Sequence, residues 1–458
     1  MHELPGFSGT DSGGSDNDPW WKLLNSYHWF VLIVAALGWL FDCLDQQLFI
    51  LARQPAMAEL LPGTPTQATI DEYGGYATSI FLMGWGIGGL IFGVLGDRIG
   101  RAKTMMITIL MYSAFTGLSA LSVSFWDFVA YRFLTGMGVG GEFAVGVALV
   151  AEVMPDRARP YALAMLQALS AVGNISAAII GMTMGELVKH DVVESVWRPM
   201  FVIGAGPALL ALVIRWRLRE PERWQQAAHT EGVARKLGSY RELFGNPTWR
   251  RHALLGLALA FSGIVGLWGV AFYAFDLVGN VLRERFVADG LSPDQVTGEV
   301  TRWKSIASMM MNIGAALGMY GFAILAQRMG RKPTFAICFI AAFVSTASVF
   351  YFLTEFHQVF WMIPIMGFCV LSLFAGYAVY FPELFPTHLR STGTSFCYNV
   401  GRFVAAAGPA LLGWLTGVVY AETSSPLRNA GLTMCGIFIL GLIVLPFLPE
   451  TKGRPLPE

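Results

Sequence analysis

Long apolar stretches fill the chain, interrupted by short polar ones, and each stretch is close to the length of a membrane crossing. A helix needs about 20 apolar residues to traverse a hydrocarbon core of roughly 30 Å. On that measure the pattern predicts spanning helices over 28–51, 75–96, 103–123, 127–151, 160–186, 198–217, 252–278, 303–326, 333–353, 359–381, 392–418 and 430–448. Six fall in each half, so both chain ends lie on one side. The first 27 residues, with Gly9, Ser12, Gly13, Gly14, Ser15 and Asp16, predict a disordered tail. They are acidic and no cleavage site follows an early apolar run, so no leader is expected to be removed. The predicted organisation is a tail (1–27), a first six-helix bundle (28–217), a linker (218–251), a second six-helix bundle (252–448) and a short end (449–458).

Composition agrees with a bilayer. Hydrophobic residues make up 55% of the 458 and charged ones 14%, with a mean hydropathy of +0.54, whereas soluble domains carry about 25% charge. Lys and Arg divide as about 21 on the side of the termini and about eight on the other, the bias of cytoplasmic loops. An integral multi-pass protein of a plasma or inner membrane with cytoplasmic termini is expected. The linker is basic (Arg219, Arg223, Lys236, Arg241, Arg250, Arg251) and reads as a solvated tether or amphipathic bridge. Zero net charge argues against nucleic acid. Five cysteines without metal-ligand spacing predict free thiols. No nucleophile, base and orienter set, metal spacing or phosphate loop suggests an enzyme or a cofactor.

The two halves repeat one another. Gly93-Val-Leu-Gly-Asp97-Arg98-Ile-Gly-Arg101 returns as Ala323-Ile-Leu-Ala-Gln327-Arg328-Met-Gly-Arg331, and Glu152-x-x-Pro155-x-x-x-Arg159 returns as Glu383-x-x-Pro386-x-x-x-Arg390. The offsets are 230 and 231 (328 − 98 and 383 − 152). Tandem membrane bundles of this kind are the parallel-repeat plan of many transporters, with function between the halves. The copies of the first motif differ at one charge, Asp97 against Gln327. Only the first half then has a carboxylate to set against the positive start of the eleventh helix near Ser391 and Thr392.

Small residues four apart, such as Gly84 with Gly88, Gly89 with Gly93, Gly136 with Gly140, Gly314 with Gly318 and Gly413 with Gly417, put grooves on helix faces for close packing. Ionisable groups at membrane depth are costly and usually face the interior. Asp42 and Asp45 sit at i, i+3 on the first helix, where mutual repulsion predicts that one of them takes up a proton. Glu142 lies in the middle of the fourth helix and Arg132 in its outer portion. Arg402 lies deep in the eleventh and offers a fork suited to a carboxylate, from a ligand or from the other bundle. The seven histidines fall at span ends or in loops, against a histidine proton relay.

The loop motif at 93–101, Arg132-x-x-x-Gly136-x-Gly138-x-Gly140, both Glu-x-x-Pro-x-x-x-Arg elements and the terminal Leu448-Pro-Glu-Thr-Lys-Gly-Arg-Pro-Leu resemble the major facilitator superfamily, in its sugar-porter-like branch. That branch includes organic ion carriers and aromatic-acid, sialate and niacin symporters. The resemblance implies an all-α membrane protein of twelve helices in two pseudo-symmetric six-helix bundles that rock around a central cavity. It also matches Asp45 to the first-helix aspartate that faces the fourth-helix arginine, here Arg132, in proton-linked members. Gln167 matches the fifth-helix glutamine that contacts sugar.

Two departures weigh against a sugar. The seventh helix, Phe261-Ser-Gly-Ile-Val-Gly-Leu-Trp-Gly, lacks the porters' paired glutamines and asparagine, and the tenth lacks their tryptophan. Asp42-x-x-Asp45, Gly140-Gly-Glu142 and Gly401-Arg402-x-x-Ala-x-x-Gly-Pro look more like the organic-acid carriers. The expected activity is proton-coupled uptake of a small organic acid by a monomer, with a sugar or polyol symporter and an exporter of organic compounds as alternatives. The expected coupling group is Asp42, Asp45, Arg132 and Glu142. The expected substrate contacts are Gln167, Trp268, Phe272, Tyr377 and Arg402. The expected gate is Asp97, Arg98, Arg101, Glu152, Arg159, Arg328, Arg331, Glu383 and Arg390. A nutrient sensor is disfavoured by tails too short for a signalling domain.

Overall fold

The computed structural model describes residues 19–189, 195–230, 232–405 and 408–458. Twelve spans are present. In the first half they are α1 (Ser26–Leu60), α2 (Gln67–Arg98), α3 (Arg101–Ser119), α4 (Phe125–Val153), α5 (Arg159–Lys189) and α6, in two pieces (Trp197–Gly204 and Ala208–Arg217). In the second they are α7 (Pro247–Val265, continuing irregularly to Ala288), α8 (Pro293–Met329), α9 (Arg331–Phe352), α10 (Phe356–Leu384), α11 (Arg390–Ala405, then Gly408–Trp414) and α12 (Pro426–Met434, then Ile437–Val444). Among the described residues nine of these are long and apolar enough to cross a membrane on their own. The other three are α3, which is short at 19 residues and opens on Arg101 and Lys103, α11, which is polar, and α6, which is broken at Ala205–Pro207. In lipid every backbone polar group needs an internal partner, so helices are the form these runs adopt.

Helix starts are set by side chains that satisfy free N–H groups. The Asn25 side chain accepts from His28 N at 2.8 Å, and Asp127 accepts from the N–H groups of Val123 and Ser124 at 2.9 Å each. Within each half, glycines allow backbone-to-backbone approach. A Cβ on Gly84 or Gly88 of α2 would lie 2.1 Å from a carbonyl oxygen of α4, and one on Gly314 or Gly318 of α8 would lie 2.0 Å from a carbonyl of α10. The pair Gly413 and Gly417 differs from expectation, since a Cβ on either would meet nothing within 4 Å among the described residues.

The halves meet where α2 packs on α11 and α5 on α8. The chain before α1 is more ordered than the predicted tail. Trp20 opens a short helical turn, stacks on Tyr161 of α5 with ring centres 5.5 Å apart, and donates to Tyr320 Oη of α8 at 3.2 Å. The expected tail therefore shortens by the residues from Pro19 on, and the first 18 lie outside the described residues. The linker also does more than tether. Trp224 Nε1 donates to the Asp97 carbonyl at 2.7 Å, Gly238 N to the His388 carbonyl at 2.9 Å and Tyr240 Oη to the Leu90 carbonyl at 3.2 Å, so it lies across both halves on the face that holds the termini.

Candidate functional site

The repeated motif builds the closed terminal face. In each half a glycine of positive φ (Gly100, +112°; Gly330, +100°) turns the chain into the next helix, and an arginine follows it. Arg101 grips Glu152 through Nε (3.2 Å) and Nη2 (2.8 Å), and Arg331 grips Glu383 the same way at 3.0 and 2.7 Å. A further repeated pair escaped the sequence reading. Glu220 accepts from Ala102 N and Lys103 N, while Glu450 accepts from Arg331 N and Lys332 N, so each carboxylate caps the equivalent helix. A Cβ at Gly100 or Gly330 would fall within 3 Å of that carboxylate, which is why both positions need glycine as well as the left-handed turn. The 230-residue offset from Glu220 to Glu450 (450 − 220) was the available signal.

Across the seam the symmetry is broken. Asp97 accepts from Ser391 N (3.1 Å), Thr392 N (2.8 Å) and Thr392 Oγ1 (2.6 Å) at the start of α11, with Arg101 Nη1 at 2.9 Å. Its counterpart Gln327 makes one neutral bond, Nε2 to the Arg157 carbonyl at 2.8 Å. Arg390 crosses to Glu152 at 2.7 Å and also donates to the Pro457 carbonyl. Its counterpart Arg159 stays local, on the Ala151 carbonyl and Asp156, while Glu383 accepts from Thr451. Arg98 and Arg328 are exposed at their turns and join none of these ion pairs. Arg98 donates to the Leu237 carbonyl, and the Arg328 carbonyl accepts from Lys452.

Between the halves lies a cavity of about 500 Å³. It runs from Trp39, Gln167 and Arg402 at its base to Leu51, Thr301 and Ser305, which are exposed toward the face opposite the termini. The Arg402 guanidinium forms part of the wall, its Cζ 3.9 Å from the Trp85 ring centre and 4.6 Å from that of Tyr398. Among the described residues Arg402 has no ion-pair partner, and its buried Nε has no acceptor. Tyr398 is held from behind by Phe143, ring centres 4.1 Å apart. Gln167 lines the cavity with Oε1 unpartnered, and Asn174 donates to Asn312 at 3.0 Å across the halves. Trp268 lines it too, on a π-helical segment, Gly266–Val270, that departs from the regular turn of α7.

Two expected contacts fall elsewhere. Tyr377 is fully buried inside the second bundle, where its hydroxyl donates to the Leu259 carbonyl at 3.0 Å and its ring stacks on Phe335 and Phe381. Phe374, about one turn earlier, lines the cavity instead. The Phe272 side chain lies outside the described residues. The aromatic partners of Arg402 and the Asn174–Asn312 bond were missed, because no spacing rule links residues on different helices.

The acidic cluster also differs from expectation. Asp42 and Asp45 do not act as one pair. Asp45 turns to Arg132, Oδ2 to Nη1 at 3.6 Å, and accepts from Thr116 Oγ1 at 2.6 Å. Arg132 is anchored by two bonds to Ser119 Oγ and lies under the Phe201 ring, 4.5 Å from its centre. Asp42 lies on the side of Glu142, which packs on α1 one turn earlier, where a Cβ on Gly38 would lie 2.3 Å from its Oε1, and neither carboxyl has a hydrogen-bond donor among the described residues. Arg132 and Glu142 are ten residues apart on α4, about 15 Å along the axis, so the two aspartates meet different partners.

Comparison with known proteins follows the same lines. A family model described as Major Facilitator Superfamily matches residues 35–288, and one described as Sugar (and other) transporter matches 226–458. The chain is 30% identical to a Haemophilus influenzae protein assigned to metabolite transport, over 94% of this chain and 99% of the other. It is 27% identical to the cis,cis-muconate transport protein of Acinetobacter baylyi, over 94% and 97%. It is also 27% identical to the niacin transporter of that organism, over 94% and 96%. The fold superposes on the proton:xylose symporter XylE bound to 6-bromo-6-deoxy-D-glucose with a TM-score of 0.76, at 18% identity over 94% and 98% of the chains.

Proposed function

The chain belongs to the major facilitator superfamily and is a membrane transporter of small organic metabolites, and on that premise we propose that it imports an organic carboxylate together with protons by alternating access. The observation that carries the substrate class is Arg402, a guanidinium presented to the central cavity between two rings and without an ion-pair partner among the described residues. A half-buried cation whose Nε is shut off from water without an acceptor is costly, and a ligand carboxylate would complete it with two parallel hydrogen bonds. Muconate and niacin, in the names of two relatives, are both carboxylates, which agrees with this reading. Gln167, Asn174 and Asn312 would meet further polar groups, and Trp39 and Trp268 would stack on an unsaturated body. Those three amides also keep a sugar or polyol as the second reading.

In this reading bundles 28–217 and 252–448 rock about the cavity, tied by the linker over 218–251. The terminal face is cytoplasmic, as the excess of Lys and Arg there suggests. The form seen is then outward-facing, held by Asp97 on α11 and by Arg390 on Glu152. Proton binding at Asp45 would neutralise its pairing with Arg132 and so favour the reorienting form.

Screening the purified protein by ligand thermal shift against sugars, nicotinate, muconate, benzoate and sialate tests the substrate class. Stabilisation by an acid but not by its amide supports it, and stabilisation by neutral sugars alone would overturn it. Asp45→Asn tests the coupling. In proteoliposomes the variant should still exchange labelled for unlabelled solute, yet fail to accumulate it under an imposed proton gradient. Continued accumulation would remove Asp45 from the coupling role.

A further inference from the structure

Asp42 and Glu142 face one another in the packed interior of the first bundle, both about 1% exposed, and as carboxylates none of their four oxygens has a donor among the described residues. Glu142 presses on α1 so closely that a Cβ on Gly38 would lie 2.3 Å from its Oε1. The contact between the two carboxyls is a hydrogen bond only when one of them carries a proton. With both ionised it would be two bare charges touching in a dry site. The charged and titratable groups around the pair are Asp45 and Cys43 on α1, Tyr112 on α3 and Arg402 on α11. Of these, Arg402 is the one cation. The Tyr112 hydroxyl is fully buried without a partner, a donor left next to the pair.

We propose that Asp42 and Glu142 hold one proton between them, as a proton site separate from Asp45–Arg132, and that the charge on Arg402 sets how tightly the proton is held. Arg402 lines the cavity and also acts electrostatically on Asp42, so it serves two anions. While the cavity is empty its field favours ionisation of Asp42. When a carboxylate neutralises it, that help is withdrawn and the proton is retained. Binding of acid and binding of proton then favour each other, and by linkage the effect is reciprocal. The shared proton rests on four buried carboxyl oxygens without a donor and on the packing of Glu142 against α1, whereas its link to substrate rests on the carboxylate reading above.

Infrared spectroscopy of the purified protein in lipid tests both parts without a ligand. The wild type at neutral pH should show the C=O stretch of a protonated carboxyl, shifted in D2O. The double variant Asp42→Asn/Glu142→Gln should lose that band and keep the wild-type thermal midpoint, since amides of the same shape can still bond to one another. Asp45→Asn should retain the band. Arg402→Gln imitates neutralisation by substrate, and its band should persist to a pH higher by about one unit or more. A wild-type spectrum whose protonated-carboxyl band is untouched by the double variant overturns the shared proton. A band that titrates alike in wild type and Arg402→Gln overturns the role of Arg402. Either outcome leaves the carboxylate reading standing, because that is decided by the ligand screen.

Discussion

Asp97→Asn isolates the one charge by which the two copies of the 93–101 motif differ. The carboxylate accepts three hydrogen bonds from α11, at 3.1, 2.8 and 2.6 Å, and meets Arg101 at 2.9 Å, all fully buried. The amide retains one acceptor oxygen and turns its NH2 toward a backbone N–H, so one bond is lost and the others change from charged to neutral. Hydrogen bonds to charged groups contribute about 1.5–3 kcal/mol and neutral ones about 0.5–1.5. Arg101 keeps Glu152 as its partner, so the cost to the closed terminal face comes to about 2–4 kcal/mol. That shifts the balance of closed to open forms by roughly 30- to 1,000-fold. A cysteine placed at Val145, which is buried beside Gly96 and Ser391 at this seam, reports the change in a background stripped of native cysteines. Maleimide labelling should accelerate about tenfold or more in the Asp97→Asn background, with ligand binding preserved. The matching change Gln327→Ala, which removes one neutral bond, should accelerate it far less. A labelling rate unchanged by Asp97→Asn would refute the assignment of Asp97 as the lock.

Two more outcomes are expected. Arg402→Lys keeps the charge but loses the planar fork and the stacking on Trp85 and Tyr398, so it should weaken a carboxylate ligand by about 1–3 kcal/mol and that ligand's amide much less. Equal losses in competitive thermal shift would make the arginine structural. At the terminal face, burial pushes the Glu450 carboxyl up, but four backbone N–H groups outweigh it and hold the group below the usual carboxylate range. Its contribution is therefore full above the ordinary value of about 4.3 and is lost as pH falls through the lowered one. Glu450→Gln should lower the thermal midpoint at pH 7 by roughly 2–5 °C and flatten its fall as the pH drops below the ordinary carboxylate range, and a midpoint equal to wild type at pH 7 would count against the cap.

Much of the architecture follows from the chain itself, because lipid leaves an apolar stretch of spanning length one stable form, the helix. The spans too short, too polar or too broken to stand out in the structure, α3, α6 and α11, were still placed by the length of the apolar runs. The contacts that close the terminal face were legible for a related reason: their residues sit at helix ends in a motif written twice, and Asp97 marks where the copies of its loop differ in charge. The interior of the bundles was not legible. Helices that are apolar on nearly every side carry little amphipathic signal, so their rotation about their axes and their register against neighbours come only from packing. That packing sends Asp42 to Glu142 and Asp45 to Arg132 although they are three residues apart. It also turns Tyr377 into the bundle while Phe374 reaches the cavity, and brings Trp85 and Tyr398 from opposite halves onto the guanidinium of Arg402. Which residues are apolar and which are charged is a property of the chain; which of them face one another was decided by small residues that let backbones touch at particular depths.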